Sequence, residues 1–179
     1  LMIFFFYNST AQILTTNGAP FNNEQAIVTD VLIGNGVVAS NFSSIGFETG
    51  IGYFFDTGNA TGFDEGILLS TGGIDFVSNG TGVGSGVSGE PDLELALNEI
   101  NLTWPVYNVT VLEFDFIASS EDMLFNYVFG SSEYTVYTCS QYNDIFGFFL
   151  SGPGIVGPYS DNAVNLAYIP DPNNPGQYT

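Results

Sequence analysis

Eight oxygen-bearing side chains sit in glycine-rich or polar stretches: Asp56, Asp64, Glu65, Glu90, Asp92, Glu133, Asn143 and Asp144. Calcium takes roughly six to eight oxygens from carboxylates, amides and backbone carbonyls, and glycine-rich loops can turn carbonyls toward an ion. Glu133, Asn143 and Asp144 flank one loop between two strand-like runs, so their side chains can converge when the chain returns. Asp64 and Glu65, framed in Gly62-Phe63-Asp64-Glu65-Gly66, are the next best contributors. These five are the expected metal ligands, with calcium as the expected ion. None of the spacings is that of an EF-hand. Asp and Asn also cap turns through their own side chains, and each acid taken alone fits that role.

Two other constellations bear on chemistry. Glu113 and Asp115 share one face of a strand, about 6.6 Å apart at Cα, which overlaps the separations that glycosidases use. Neighbours at i and i+2 point in parallel, however, and do not have to flank a bond. The alternative is a pair of carboxylates on a solvated face or holding nearby loops. Tyr134, Tyr137, Tyr142 and Trp104 lie in loop-like stretches where aromatic faces could stack on sugars, although most such residues in a small β-domain are core or rim.

Charge removes many other possibilities. The 179 residues contain 19 Asp and Glu but no Lys, Arg or His, a formal net charge of −19. Either the basic side chains are missing from the sequence as written, or the chain is selected for an acidic, cation-seeking surface. Without His there is no Ser-His-Asp or Cys-His device and no His-ligated zinc. Without Lys there is no Schiff base and no phosphate-loop lysine. Without a basic patch nucleic acid is not a partner, and anionic membranes repel the chain. Every carboxylate must be solvated, hydrogen-bonded, protonated or bound to a metal. Cys139 is the single cysteine, so no intrachain disulfide forms, and no base is present to activate it as a nucleophile.

The elements that position these groups read mainly as strands. Val111–Ile117 alternates apolar and acidic residues, Met123–Phe129 has a broad apolar face, and Ile145–Ser151 places Phe146, Phe148 and Leu150 together. Ser119–Asp122 reads as a hairpin connection between the first two runs. Phe114, Phe116, Phe125, Tyr127, Phe146 and Phe148 are expected to form one buried layer. Shorter strands are expected at 37–39, 51–55, 66–70 and 163–169. Asn22–Ile33 reads as a short helix capped by Asn22, with a strand over 27–33 as the alternative. Pro91 suits the first turn of a second helix. Residues 78–89 are a glycine-rich loop. Leu1–Tyr7 is apolar but far short of the ~20 residues that span a bilayer. Residues 1–12 are thus either a signal-peptide remnant or a first strand, one that would pair with a neighbouring chain or be covered, and 13–179 form a single β-rich domain. Six Asn-x-Ser/Thr triplets, at Asn8, Asn41, Asn59, Asn79, Asn101 and Asn108, agree with an extracellular, loop-rich chain.

Seven blocks in order carry a family resemblance: DVLIGNGVVASN (30–41), GFDEGILLSTG (62–72), GEPDLELAL (89–97), LEFDF (112–116), NYVFGSSEY (126–134), YNDIFGFFLSGPG (142–154) and NLAYIPDP (165–172). Together they resemble the bacterial choice-of-anchor L domain of secreted and surface-attached proteins, from about Glu24 to Pro172. The family usually has a second acid where this chain has Ser132, and it tolerates basic residues. Its domains also continue further, so a C-terminally truncated fragment is expected. The resemblance implies a β-rich extracellular module and no established enzymatic activity.

The expected fold class is all-β: a two-layer β-sandwich or jelly-roll-like domain with one or two short helices. The expected function is a non-catalytic module at the cell surface or outside the cell, serving adhesion or assembly, with a filament or a surface layer as the form that assembly would take. Its expected partners are other surface proteins, identical subunits or glycans. A carbohydrate-binding module is the alternative, and a carboxylate-based glycoside hydrolase is the third reading.

Overall fold

The structure is a computed structural model that describes residues 13–79, 84, 87–131, 137 and 144–167. The expectations placed on residues 1–12, including pairing or covering of Leu1–Tyr7, lie outside these residues. The fold is all-β, with antiparallel sheets and a few short helices. The chain divides into two compact units, Leu1–Ser88 with Tyr107–Asn126 and Gly89–Val106 with Tyr127–Thr179.

The first unit holds two sheets. One has the order β1-β3-β4, from Ile13–Thr16 (β1), Ile51–Asp56 (β3) and Glu65–Leu69 (β4). In β3, Gly52, Phe54 and Asp56 face inward and are buried, the period of two that a strand imposes. The other sheet is a ribbon of Val37–Ile45 (β2) and Val111–Ala118 (β5). Its register shifts between Ser40 and Ser43, where Asn41 takes a left-handed φ of 54°. Such a bulge lets one strand turn an extra residue out of the ladder.

A helical segment touches strands of both sheets. It starts as α1 (Glu24–Ala26) and continues as a π turn over Ile27–Leu32, closed by the bond from Ile33 N to the Val28 carbonyl at 3.0 Å. The expected helix is therefore present and the alternative strand is not. The cap is Asn23 rather than Asn22: its Oδ1 accepts from Ala26 N at 2.8 Å. Ile27 and Val28 are the buried face, and with Phe54, Ile74 and Val109 they form this unit's core. A short helix that the sequence reading missed, α2 (Asp75–Asn79), follows Ile74.

The second unit contains α3 (Pro91–Glu99), a two-stranded ladder of Phe149–Leu150 (β6) and Val164–Asn165 (β7), and a 3-10 turn at Ser160–Asn162. Pro91 opens α3 as expected, and the Glu90 side chain caps it by accepting from Leu93 N at 2.6 Å. Leu97, Val106, Tyr159 and Ala163 are buried here. Asn165 is buried too, and its Oδ1 accepts from Phe148 N and Ala167 N, which satisfies an otherwise costly polar atom.

Three expectations are corrected. Val111–Ala118 pairs with β2, not with Met123–Phe129, which joins no ladder among the described residues. The reason is polar satisfaction. Ser43 Oγ donates to Glu113 at 3.2 Å and Asn41 Nδ2 to Asp115 at 2.6 Å, whereas 123–129 offers only Asn126 and the Tyr127 phenol as side-chain donors. Among the described residues, Ile145–Ser151 contributes Phe149 and Leu150 to a ladder, and the strand expected at 163–169 is laddered at 164–165, with 168–169 outside the described residues. Finally, the six aromatic residues are not a buried layer. Phe114 and Phe116 are half-buried with ring centroids 6.2 Å apart, and Tyr127 stays 37% exposed while packing on Phe146 at 5.1 Å. Burial falls instead on smaller aliphatic side chains and on Phe54 and Tyr159.

Candidate functional site

The expected metal ligands fall in both units. Asp64 and Glu65 belong to the first, and Asp144 to the second. Glu133 and Asn143 lie outside the described residues, as do Tyr134 and Tyr142. Among the described residues no three Asp, Glu or Cys side chains come together in a group that could hold a metal ion.

Most of the described acids singled out in the sequence accept hydrogen bonds that tie down a turn, a helix start or a neighbouring segment. Asp56 is buried, and its carboxylate accepts from Gly58 N at 2.9 Å, Thr61 N at 2.7 Å and Thr61 Oγ1 at 2.9 Å. Its own N–H donates to the Asp64 carbonyl, so the loop from 56 to 64 closes on one side chain. The bond from Thr61 N, with help from Gly58, the Thr61 hydroxyl and Ala60, holds this carboxyl below its ordinary value, although burial works the other way. Glu90 caps α3. Asp92 accepts from both N and Oγ of Ser160, at 2.9 and 3.0 Å. Asp144 is exposed and accepts from the Ser131 hydroxyl. Glu113 and Asp115 lie on one open face of the β2–β5 ribbon, each bonded across to β2, rather than facing one another over a cleft. Trp104 and Tyr137 are both solvent-exposed, at 38% and 47%.

Glu65 is the exception, because it lines a pocket. Pro20 and Phe21 come from the loop after β1, Asp30 and Val31 from the π turn, Tyr53 from β3 and Glu65 from β4. The enclosed space is about 210 Å³. Tyr53 is opposite Ile67 in the ladder, so Glu65 is its diagonal neighbour on the same face. The Tyr53 hydroxyl donates to Glu65 Oε2. That bond, together with some burial and the negative charge of Glu65, raises the Tyr53 phenol above its ordinary value. The Phe21 and Tyr53 rings stack at 4.4 Å with 10° between their planes. Asp30 accepts from the neighbouring Thr29 hydroxyl at 2.9 Å. Sequence reasoning singled out Glu65 for a metal and missed the pocket, which gathers four segments far apart in the chain.

This all-β architecture is that of a small β-rich module; what places it among secreted or surface-anchored proteins is the family that its sequence matches. The chain belongs to the choice-of-anchor L domain family, whose model matches residues 15–179. That is not a family of known enzymes. Neither a curated protein nor a solved structure gives a significant match. Among the described residues no helix is long and apolar enough to cross a membrane.

Proposed function

We propose that the chain is a non-catalytic adhesion or assembly module, and that the outer face of the β2–β5 ribbon is where it docks. The observation that carries this is a cross-strand pair, Val38 opposite Ile117, left 69% and 73% exposed. Ile45, opposite Val111 at the other end of the ribbon, is 52% exposed. Between these apolar ends stand Glu113 and Asp115, fixed by Ser43 and Asn41. A face with apolar ends and oriented carboxylates between them suits a protein partner of opposite charge. Among the described residues β2 and β5 pair only with each other, so each also offers an open edge for strand addition. A second copy of the chain, itself at −19, is disfavoured by repulsion unless cations intervene.

Beads carrying the chain test this on surfaces coated with a basic protein, an acidic protein or a neutral glycan. Retention on the basic protein is expected. It should weaken with salt and fall several-fold for the Val38→Ser/Ile117→Ser variant, with the unfolding midpoint unchanged. Equal retention of wild type and variant overturns the docking face. A second reading, carbohydrate binding, draws support from the exposed Trp104 and Tyr137. Retention on the glycan that is lost on Trp104→Ala would favour it instead.

A further inference from the structure

We propose that the pocket formed by Pro20, Phe21, Asp30, Val31, Tyr53 and Glu65 is a receptor for a basic side chain, arginine by preference, supplied by another polypeptide. The inference deepens the docking reading by naming a chemistry for the partner.

Hydrogen-bond sense comes first. The ionisable groups of the pocket are two carboxylates and one phenol, and the phenol proton is committed to Glu65. The polar lining therefore offers acceptors. Guanidinium and ammonium groups are donors only, whereas a sugar hydroxyl needs donors and acceptors together. The raised Tyr53 phenol agrees with this, since its proton remains on the ring oxygen and leaves Glu65 as the acceptor.

Shape comes second. Phe21 and Tyr53 both line the pocket, and because their rings stack on one another each keeps one outer face for a further planar group. A guanidinium can lie flat on an aromatic face and direct its N–H groups in plane toward a carboxylate, which a point-like ammonium cannot do equally well. Pro20 and Val31 supply apolar contact for the aliphatic stem of such a side chain. The pocket, at about 210 Å³, is below the roughly 300–1,000 Å³ usual for small-molecule sites. It suits the end of one side chain rather than an oligosaccharide.

Charge comes third. The chain has no Lys, Arg or His, so no side chain of its own can serve as the occupant.

The test is NMR titration of the whole chain with blocked tripeptides that carry arginine, lysine or citrulline at the centre, and separately with methyl glucoside. Arginine should give saturable shifts at the amides of Phe21, Asp30, Tyr53 and Glu65, with lysine weaker and citrulline silent. Asp30→Asn and Glu65→Gln should each weaken binding on the order of fivefold, the scale of one exposed ion pair. Equal shifts from citrulline, unchanged affinity in both variants, or response to the glucoside alone would overturn the proposal. Bead retention on a basic protein that survives in the Asp30→Asn/Glu65→Gln double variant would sink the pocket alone. Pocket binding that persists while Val38→Ser/Ile117→Ser leaves retention intact would sink the ribbon face alone.

Discussion

At Asp56, donors from Gly58 and Thr61 converge on one buried carboxylate, and the pH response of the first unit follows from that geometry. The folded pKa is depressed, so between the folded and unfolded values the unfolded chain binds more protons and stability rises with pH. The contribution is fully present above the ordinary Asp value of 3.8 and is lost as pH falls through the lower folded value. Asp56→Asn should therefore lower the urea midpoint at neutral pH, and the gap to wild type should close on acidification. A gap that is constant with pH would mean the charge contributes nothing. Tyr53 has the opposite sign, and its raised phenol should titrate above the ordinary value near 10. Glu65→Ala should return it toward that value in a site-resolved NMR titration. The Asn-x-Ser/Thr triplets also acquire a physical meaning at this scale. Asn41, Asn59, Asn101 and Asn108 all take positive φ, from 54° to 63°. Asn tolerates the left-handed region better than other non-glycine residues, so these triplets mark turns and bulges. Their number reads as backbone geometry rather than as evidence of glycans.

At the level of elements, β3 is the centre of its sheet, and it tolerates no side chain at Gly52. A Cβ there would run into Ile74 Cδ1 and lie 2.7 Å from the Thr16 carbonyl oxygen. Gly52→Ala should cost about 1–3 kcal/mol by overpacking, read as a lowered denaturant midpoint, and an unchanged midpoint would show that β1 and β3 can separate. In the second unit, Glu90 caps α3, and Glu90→Ala should cost about 0.5–2 kcal/mol, with Glu90→Ser restoring much of it. A loss that Ser fails to restore would point to a role of Glu90 beyond the cap. What the sequence made legible follows the same physics. β3, β5 and α3 carry their own local signals: an apolar, aromatic run between glycine-containing turns at 51–55, alternation in Val111–Ala118, and Pro91 at the start of a helix. The partner of β5 was not legible, because three apolar runs could cover its inner face. Serine and asparagine on β2 decided the pairing by satisfying its carboxylates. The pocket was hidden for a related reason. Tyr53 and Glu65 meet only once the β3–β4 register is set, and Phe21 and Asp30 arrive from a loop and a π turn with no periodic signature.

For the whole molecule the governing quantity is 19 acids without a base. Their mutual repulsion opposes compactness, and any salt relieves part of it, since screening acts over about 10 Å at 0.1 M. A cation that binds specifically does more, because binding only the folded form stabilises it by mass action. We propose calcium in that role, with Asp144 as its described anchor in the second unit, Asn143 next to it in sequence and Glu133 at the other end of the same loop. Asp144 is exposed and takes one hydrogen bond from Ser131, which orients its carboxylate and leaves acceptor capacity for an ion. Asp64 and Glu65 are the other candidates, but Asp64 lends its carbonyl to the closure of the Asp56 loop, and Glu65 faces the aromatic pocket. Calcium at a hundred times its dissociation constant should add about 2.7 kcal/mol. That corresponds to roughly 5–10 °C in Tm for a chain of this length. The comparison is calcium against sodium at matched ionic strength, so that screening cancels. Asp144→Asn should remove at least half of the calcium increment, while Asp64→Asn should change it little. Equal shifts from both salts would assign the whole effect to screening, and Asp144 would then be a turn acid like Asp56, Glu90 and Asp92.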